Sequence, residues 1–202
     1  MSIEESINEY IRRFRKSAND EREFFEKREN LHDAISAAAK CVMPSGSKHP
    51  HQYRIPVEVL AEAERCLLSL VNKIGEANDF DSLYSVVSEA IRPIHGIGEL
   101  CVYDISHRIG SYRKLEVNKV YLHAGAQKGA AALGLKGRTI ERTSLPTEFA
   151  RLTAAEIEDC LCIFKDRFDE ARISPVGCST IVQATGCSPS KKFKTRTAKF
   201  TT

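Results

Sequence analysis

The chain has 202 residues, enough for one compact domain with a substantial core, or a domain and a tail. A hydrophobic share of 42% and a charged share of 28% are those of an ordinary globular protein, which excludes fibrous and wholly disordered classes. The net charge of +3 is compatible with nucleic acid without requiring it, and no apolar run approaches the roughly 18 residues of a membrane-spanning helix.

Taken in chain order, the pattern is helical. Ile3, Ile7, Tyr10, Ile11 and Phe14 recur at helical spacing. A second helix is expected from Asn19, a good N-cap, with Phe24, Leu31, Ile35 and Ala38 on one face. The run Pro44 to Arg54 breaks the pattern with Pro and Gly, yet is crowded with rings and donors. Periodicity resumes from Val57 through Ile74, and again from Asp81 to Ile91. An Ala-rich helix is expected from about Asn118 to Leu133, and a last one from Thr153, opened by the capping box Thr153-Ala154-Ala155-Glu156. Beyond Pro175 the sequence is rich in Gly, Ser, Thr and Lys, and no acid follows Cys187. The predicted fold is all-α: a helical domain over residues 1–174 and a basic tail over 175–202.

Seven cysteines, an odd and scattered set without a signal peptide, predict reduced thiols and a cytoplasmic protein. The gaps among Cys160, Cys162, Cys178 and Cys187 match neither a zinc ribbon nor a compact iron–sulfur loop, so no metal site is expected.

The informative stretch is Ile94-His95-Gly96-Ile97-Gly98, which links one helix to the next. Glycines there permit a tight turn whose outward N–H groups, with the following helix N-terminus, suit a DNA phosphate. Such a contact positions a duplex without reading its sequence. The next helix is expected to end at Gly110, followed by Leu115-Glu116-Val117-Asn118-Lys119.

In this arrangement the segment resembles the helix-hairpin-helix DNA glycosylase superfamily, the group of endonuclease-III-like and adenine-mismatch glycosylases. The match covers residues 90–135; elsewhere it rests on helix order. The resemblance implies double-stranded DNA as partner, extrusion of a damaged or modified base, and cleavage of its N-glycosidic bond to leave an abasic site. It also implies no cofactor, beyond a monovalent cation held by hairpin carbonyls near Gly96 and Gly98. The expected DNA-contacting set is Gly96, Ile97, Gly98, Leu100 and Lys119. Leu100 stands where bifunctional members carry a catalytic lysine, so a monofunctional enzyme is the better comparison. Asn118 stands where the family has its catalytic aspartate. Small bacterial members act against phages with modified cytosine, and the general resemblance extends to that branch.

The departure at Asn118 matters chemically. Breaking the bond builds positive charge at C1′, which a carboxylate stabilises, or activates a water against. An amide supplies no anion, and Asn is also simply a good N-cap. Two readings therefore stand: an impaired glycosylase, natural or engineered, and a non-catalytic module that holds DNA through its hairpin. For a base pocket or wedge the polar loop offers His49, His51, Gln52, Tyr53 and Arg54, able to stack, donate and accept. Lys128 and Arg138 are further phosphate-contact candidates.

Overall fold

The computed structural model describes residues 2–168, so the predicted tail, with Cys178 and Cys187, lies outside the described residues. The described chain is mostly helical. Its order is α1 (Ile3–Arg13), α2 (Arg15–Glu26), α3 (Leu31–Ala39), α4 (Val57–Leu68), α5 (Val71–Glu76), α6 (Phe80–Ile91) and α7 (Glu99–Arg113). Then follow β1 (Lys119–Tyr121), α8 (Ala124–Ala132), β2 (Thr139–Glu141) and α9 (Ala154–Ile163). No described helix is long and apolar enough to cross a membrane.

Local chemistry explains where the chain departs from the periodicity. The helix expected from Asn19 is two helices, because the Asn30 side chain accepts from Asp33 N at 2.9 Å and starts α3 afresh. The expected run from Val57 to Ile74 is also split. Ser69 donates to the Cys66 carbonyl at 2.7 Å and Leu70 N bonds to Leu67, closing α4 with a tight turn. The helix after the hairpin runs through Gly110 to Arg113, where Lys114 turns left-handed at φ 55°.

The largest correction concerns residues 118–123. Asn118 starts no helix. Lys119-Val120-Tyr121, β-branched and aromatic, pairs antiparallel with Thr139-Ile140-Glu141 in a two-stranded ribbon. Only the Ala-rich part is helical, with His123 as the residue before α8. The capping box at Thr153 forms as expected.

Two cores result. One is built by α3 to α7 around Leu67, Leu83, Ile105 and Ile109. The other joins α1 to β1, α8 and α9 around Ile7, Val120, Phe149 and Leu161. A small aromatic cluster of Phe80, Tyr103 and Tyr121 sits between them, sharing Tyr84 with the first core and Val117 with the second, and Tyr121 and Lys119 both reach Asp81 at the start of α6.

The second core depends on close approach of α8 to α9. A Cβ at Gly129 would collide with the Leu161 carbonyl. Gly129→Ala should therefore destabilise the protein by about 1–3 kcal/mol through overpacking, outweighing the roughly 1 kcal/mol that alanine gains in a helix. Urea unfolding measures this; a raised midpoint would mean the two helices are not so closely apposed.

Candidate active site

The connection from α6 to α7 is a tight hairpin. Gly96 adopts φ +95°, which favours glycine. Gly98 does not need the left-handed region: it is an extended N-cap at φ −94°, ψ 171°. Nor does crowding within the chain require glycine there, since a Cβ would meet nothing within 4 Å. Gly96 and Gly98 are exposed, while Ile97 is buried in the first core and anchors the turn from within. The Ile97 side chain thus faces inward, away from the surface of the turn. Leu100 is half-buried, and Lys119 is ion-paired with Asp81 at 2.7 Å. Lys128 pairs with Asp166 at 2.7 Å, and Arg138 approaches Glu99 at 3.6 Å.

From the hairpin, one face of α7 leads into a cleft. Leu100, Asp104, His107 and Ser111 follow at helical spacing, so they share that face. The last three line an inner chamber of about 80 Å³, closed by α2, the His49–His51 turn and α9. A wider mouth of about 660 Å³ adjoins it and contains Asn118, Lys114 and Arg142. His107, Ser111 and Asp159 belong to the walls of both.

The chamber is held by a chain of charged bonds. Arg108, only 3% exposed, donates through Nε to Glu21 Oε1 at 2.9 Å and through Nη2 to Gln52 Oε1 at 3.4 Å. Gln52 in turn donates to Asp104 Oδ2, which also faces His51 Nδ1 at 3.4 Å. Glu21 faces His49 Nε2 at 3.6 Å. One donor, Arg108 Nη1, has no hydrogen-bond partner.

These surroundings separate the acids. Burial opposes ionisation of Glu21, but the contact with His49 and the charge of Arg108 bring it down to about 2. Asp104 is likewise held below its usual range, where burial is outweighed by His51, Arg108 and Gln52. On α9 the opposite holds. Burial and the charges of Asp159 and Asp104 push Glu158 far up. Burial raises Asp159 to about 6 despite a hydrogen bond from Tyr10 Oη at 3.0 Å. The contact with Asp104 raises His51, whereas burial lowers His107. Ionised and protonated carboxyl groups thus share one cavity wall, the arrangement that general acid–base chemistry uses.

Of the predicted pocket residues, His49 and His51 line the chamber, and with Asp104 they form a group of donor atoms able to converge on a metal ion. Gln52 is buried and bonded at both ends of its amide, to Asp104 and Arg108, so it braces the site. Tyr53 is 75% exposed and Arg54 is exposed beside it, placed to meet a partner outside. Asn118 is exposed in the mouth. His123 is buried against Tyr103 with neither ring nitrogen hydrogen-bonded. The sequence reading missed Glu21, Asp104, His107, Arg108, Glu158 and Asp159. No local signal marks the pair on α7: the same helix also carries Glu99, Ser106, His107, Ser111 and Arg113, so Asp104 and Arg108 do not stand out in it.

Comparison of the chain with protein-family models, with curated proteins and with solved structures found no match.

Removing Arg108 alone leaves Glu21 and Asp104 without their counter-charge. Arg108→Met should cost about 3 kcal/mol, at the low end for a broken buried pair because Glu21 keeps some solvent. The double variant Arg108→Met/Glu21→Gln should recover part of that loss in denaturant unfolding. Equal losses in single and double variants would show that the pair carries no such coupling.

Proposed function

We propose that this chain is a monofunctional DNA glycosylase of the helix-hairpin-helix type, with Asp159 supplying the carboxylate that Asn118 cannot. The observation that carries this reading is Asp159 itself, in the wall common to chamber and mouth and poised near neutrality. The hairpin N–H groups hold a backbone phosphate, and the shared face of α7 leads from there into the cleft. The extruded base enters the chamber, where His107 and Tyr103 offer ring faces, and its deoxyribose stays at the mouth near Asn118.

The reaction balances within these groups. Asp159 takes a proton from water as the water oxygen bonds to C1′. The N-glycosidic bond breaks, its electron pair leaves with the base, and protonated Glu158 neutralises that base by giving up its proton. Asn118 orients the water as donor and acceptor. Exposed Tyr53 serves as the wedge that fills the vacated stack. A polar, solvent-connected chamber favours a hydrophilic modified base, such as a modified cytosine of phage DNA.

Asp159→Asn should lower abasic-site formation by about 10²–10⁴-fold on a panel of damaged and modified bases that includes glucosylated hydroxymethylcytosine. Asn118→Asp should keep or raise activity. If wild type yields no abasic site on any substrate, yet binds DNA with a steep salt dependence, the hairpin is a positioning module and the enzyme reading fails.

The active form of Asp159 is its carboxylate. The single-turnover rate should therefore rise with pH through about 6 and level off above it. A rate that falls across that range would assign Asp159 the role of acid instead.

A further inference from the structure

His49, Pro50 and His51 begin a single 3-10 turn, entered from His49 and made rigid by Pro50 at its first position. The turn sets both imidazoles edge to face, with ring centres 4.8 Å apart, and Asp104 faces them from the middle of α7. His51 Nδ1 and Asp104 Oδ2 lie 3.4 Å apart. That is long for a charge-assisted hydrogen bond. It is close to the edge of a tetrahedral zinc site, where bonds of about 2.0–2.1 Å put neighbouring donors roughly 3.3–3.4 Å apart. The donor atoms of all three residues fall within 4.8 Å of one another.

The outer contacts are those that a metal-binding histidine needs. His49 Nε2 faces Glu21 Oε2 at 3.6 Å, and Arg108 fixes that carboxylate in place. A carboxylate at Nε2 keeps the proton there and leaves Nδ1 with its lone pair, the pattern of a carboxylate–histidine–metal relay. The present partner of Nδ1 is the backbone N–H of His51 at 3.2 Å, a contact that an ion would replace. Gln52 donates to Asp104 Oδ2, the oxygen that also faces His51, and so orients the carboxylate while using one of its several lone pairs. Glu21 and Asp104 together outweigh Arg108 by one negative charge, so a divalent cation enters a favourable field. His51 is exposed and gives the ion a path from solvent.

We propose that His49, His51 and Asp104 form a mononuclear site for a divalent transition metal, with zinc the best fit. Two imidazoles and one carboxylate are a borderline donor set, suited to zinc, cobalt or iron and poor for magnesium or calcium. Three protein ligands leave a coordination position open toward the inner chamber, where a water or a heteroatom of a bound ligand completes the shell. The site goes beyond the glycosylase reading and does not rest on it.

The test uses the full chain, stripped with chelator and titrated with Zn²⁺ in competition with a chromogenic chelator, without DNA. One zinc per chain is expected. His51→Ala and Asp104→Asn should each weaken binding more than about tenfold, while His95→Ala, on the exposed hairpin, should not. His51→Ala removes an exposed ring, so its folding, checked by circular dichroism, should match wild type. Co²⁺ in place of zinc should give visible ligand-field bands without a thiolate-to-cobalt band. The proposal is overturned by the absence of stoichiometric zinc, by zinc binding that survives His51→Ala unchanged, or by a thiolate band that assigns the ion to cysteine.

Discussion

A buried guanidinium has to be answered by charge, and Arg108 makes this structure answer it from two directions. Its donors reach Glu21 on α2 and Gln52 in the loop before α4, so three separate stretches of chain are fixed relative to one another by one side chain. Gln52 passes the constraint on to Asp104, and Glu21 passes it on to His49. An uncompensated ion at this depth is far more costly than a poor apolar contact. The polar network therefore specifies where α2 and the histidine turn sit against α7.

Under the proposed function, that constraint separates the part that holds DNA from the part that acts on it. The hairpin offers exposed backbone at Gly96 and Gly98, backed by Ile97 in the core, and needs no side-chain charge for a phosphate. The proposed chemistry lies at the other end of the cleft, where Glu158 and Asp159 stand on α9, a helix of the second core. α7 connects the two, carrying the hairpin at its start and the ionised Asp104 one turn beyond Leu100. Asp104 also raises its neighbours on α9 by its charge, so the acids are tuned jointly.

Much of the fold was legible because helices announce themselves through apolar spacing and caps. The Thr153 box and the turn between α6 and α7 depend on adjacent residues alone, and both form. The ribbon was not legible: Lys119-Val120-Tyr121 is too short to show alternation, and its partner lies 18 or more residues away. The break at Asn30 was hidden because one side-chain bond, not periodicity, decides it. Within the site, the run from His49 to Arg54 stood out by composition, and two of its members do line the chamber. The acids did not stand out. Glu21, Asp104 and Asp159 are ordinary helical residues until tertiary packing removes their water, and no local pattern encodes that loss.

The two cores are also unequal in how the chain builds them. The first is drawn from one continuous stretch between Phe24 and Leu115, whereas the second joins α1 to segments that begin at Val117. One core is thus nested inside the other along the sequence. Closing the outer one brings together ends roughly 100 residues apart, with the loop-closure entropy that such a span entails. Contacts of that range are slow to form. The inner core can assemble early as its chain emerges, while Tyr10 meets Asp159 only when α9 is complete. Among the described residues, the wall that carries Glu158 and Asp159 is then the last to acquire its shape; under the proposed function, an unfinished chain would have the hairpin that holds a phosphate without the acids that act on the glycosidic bond.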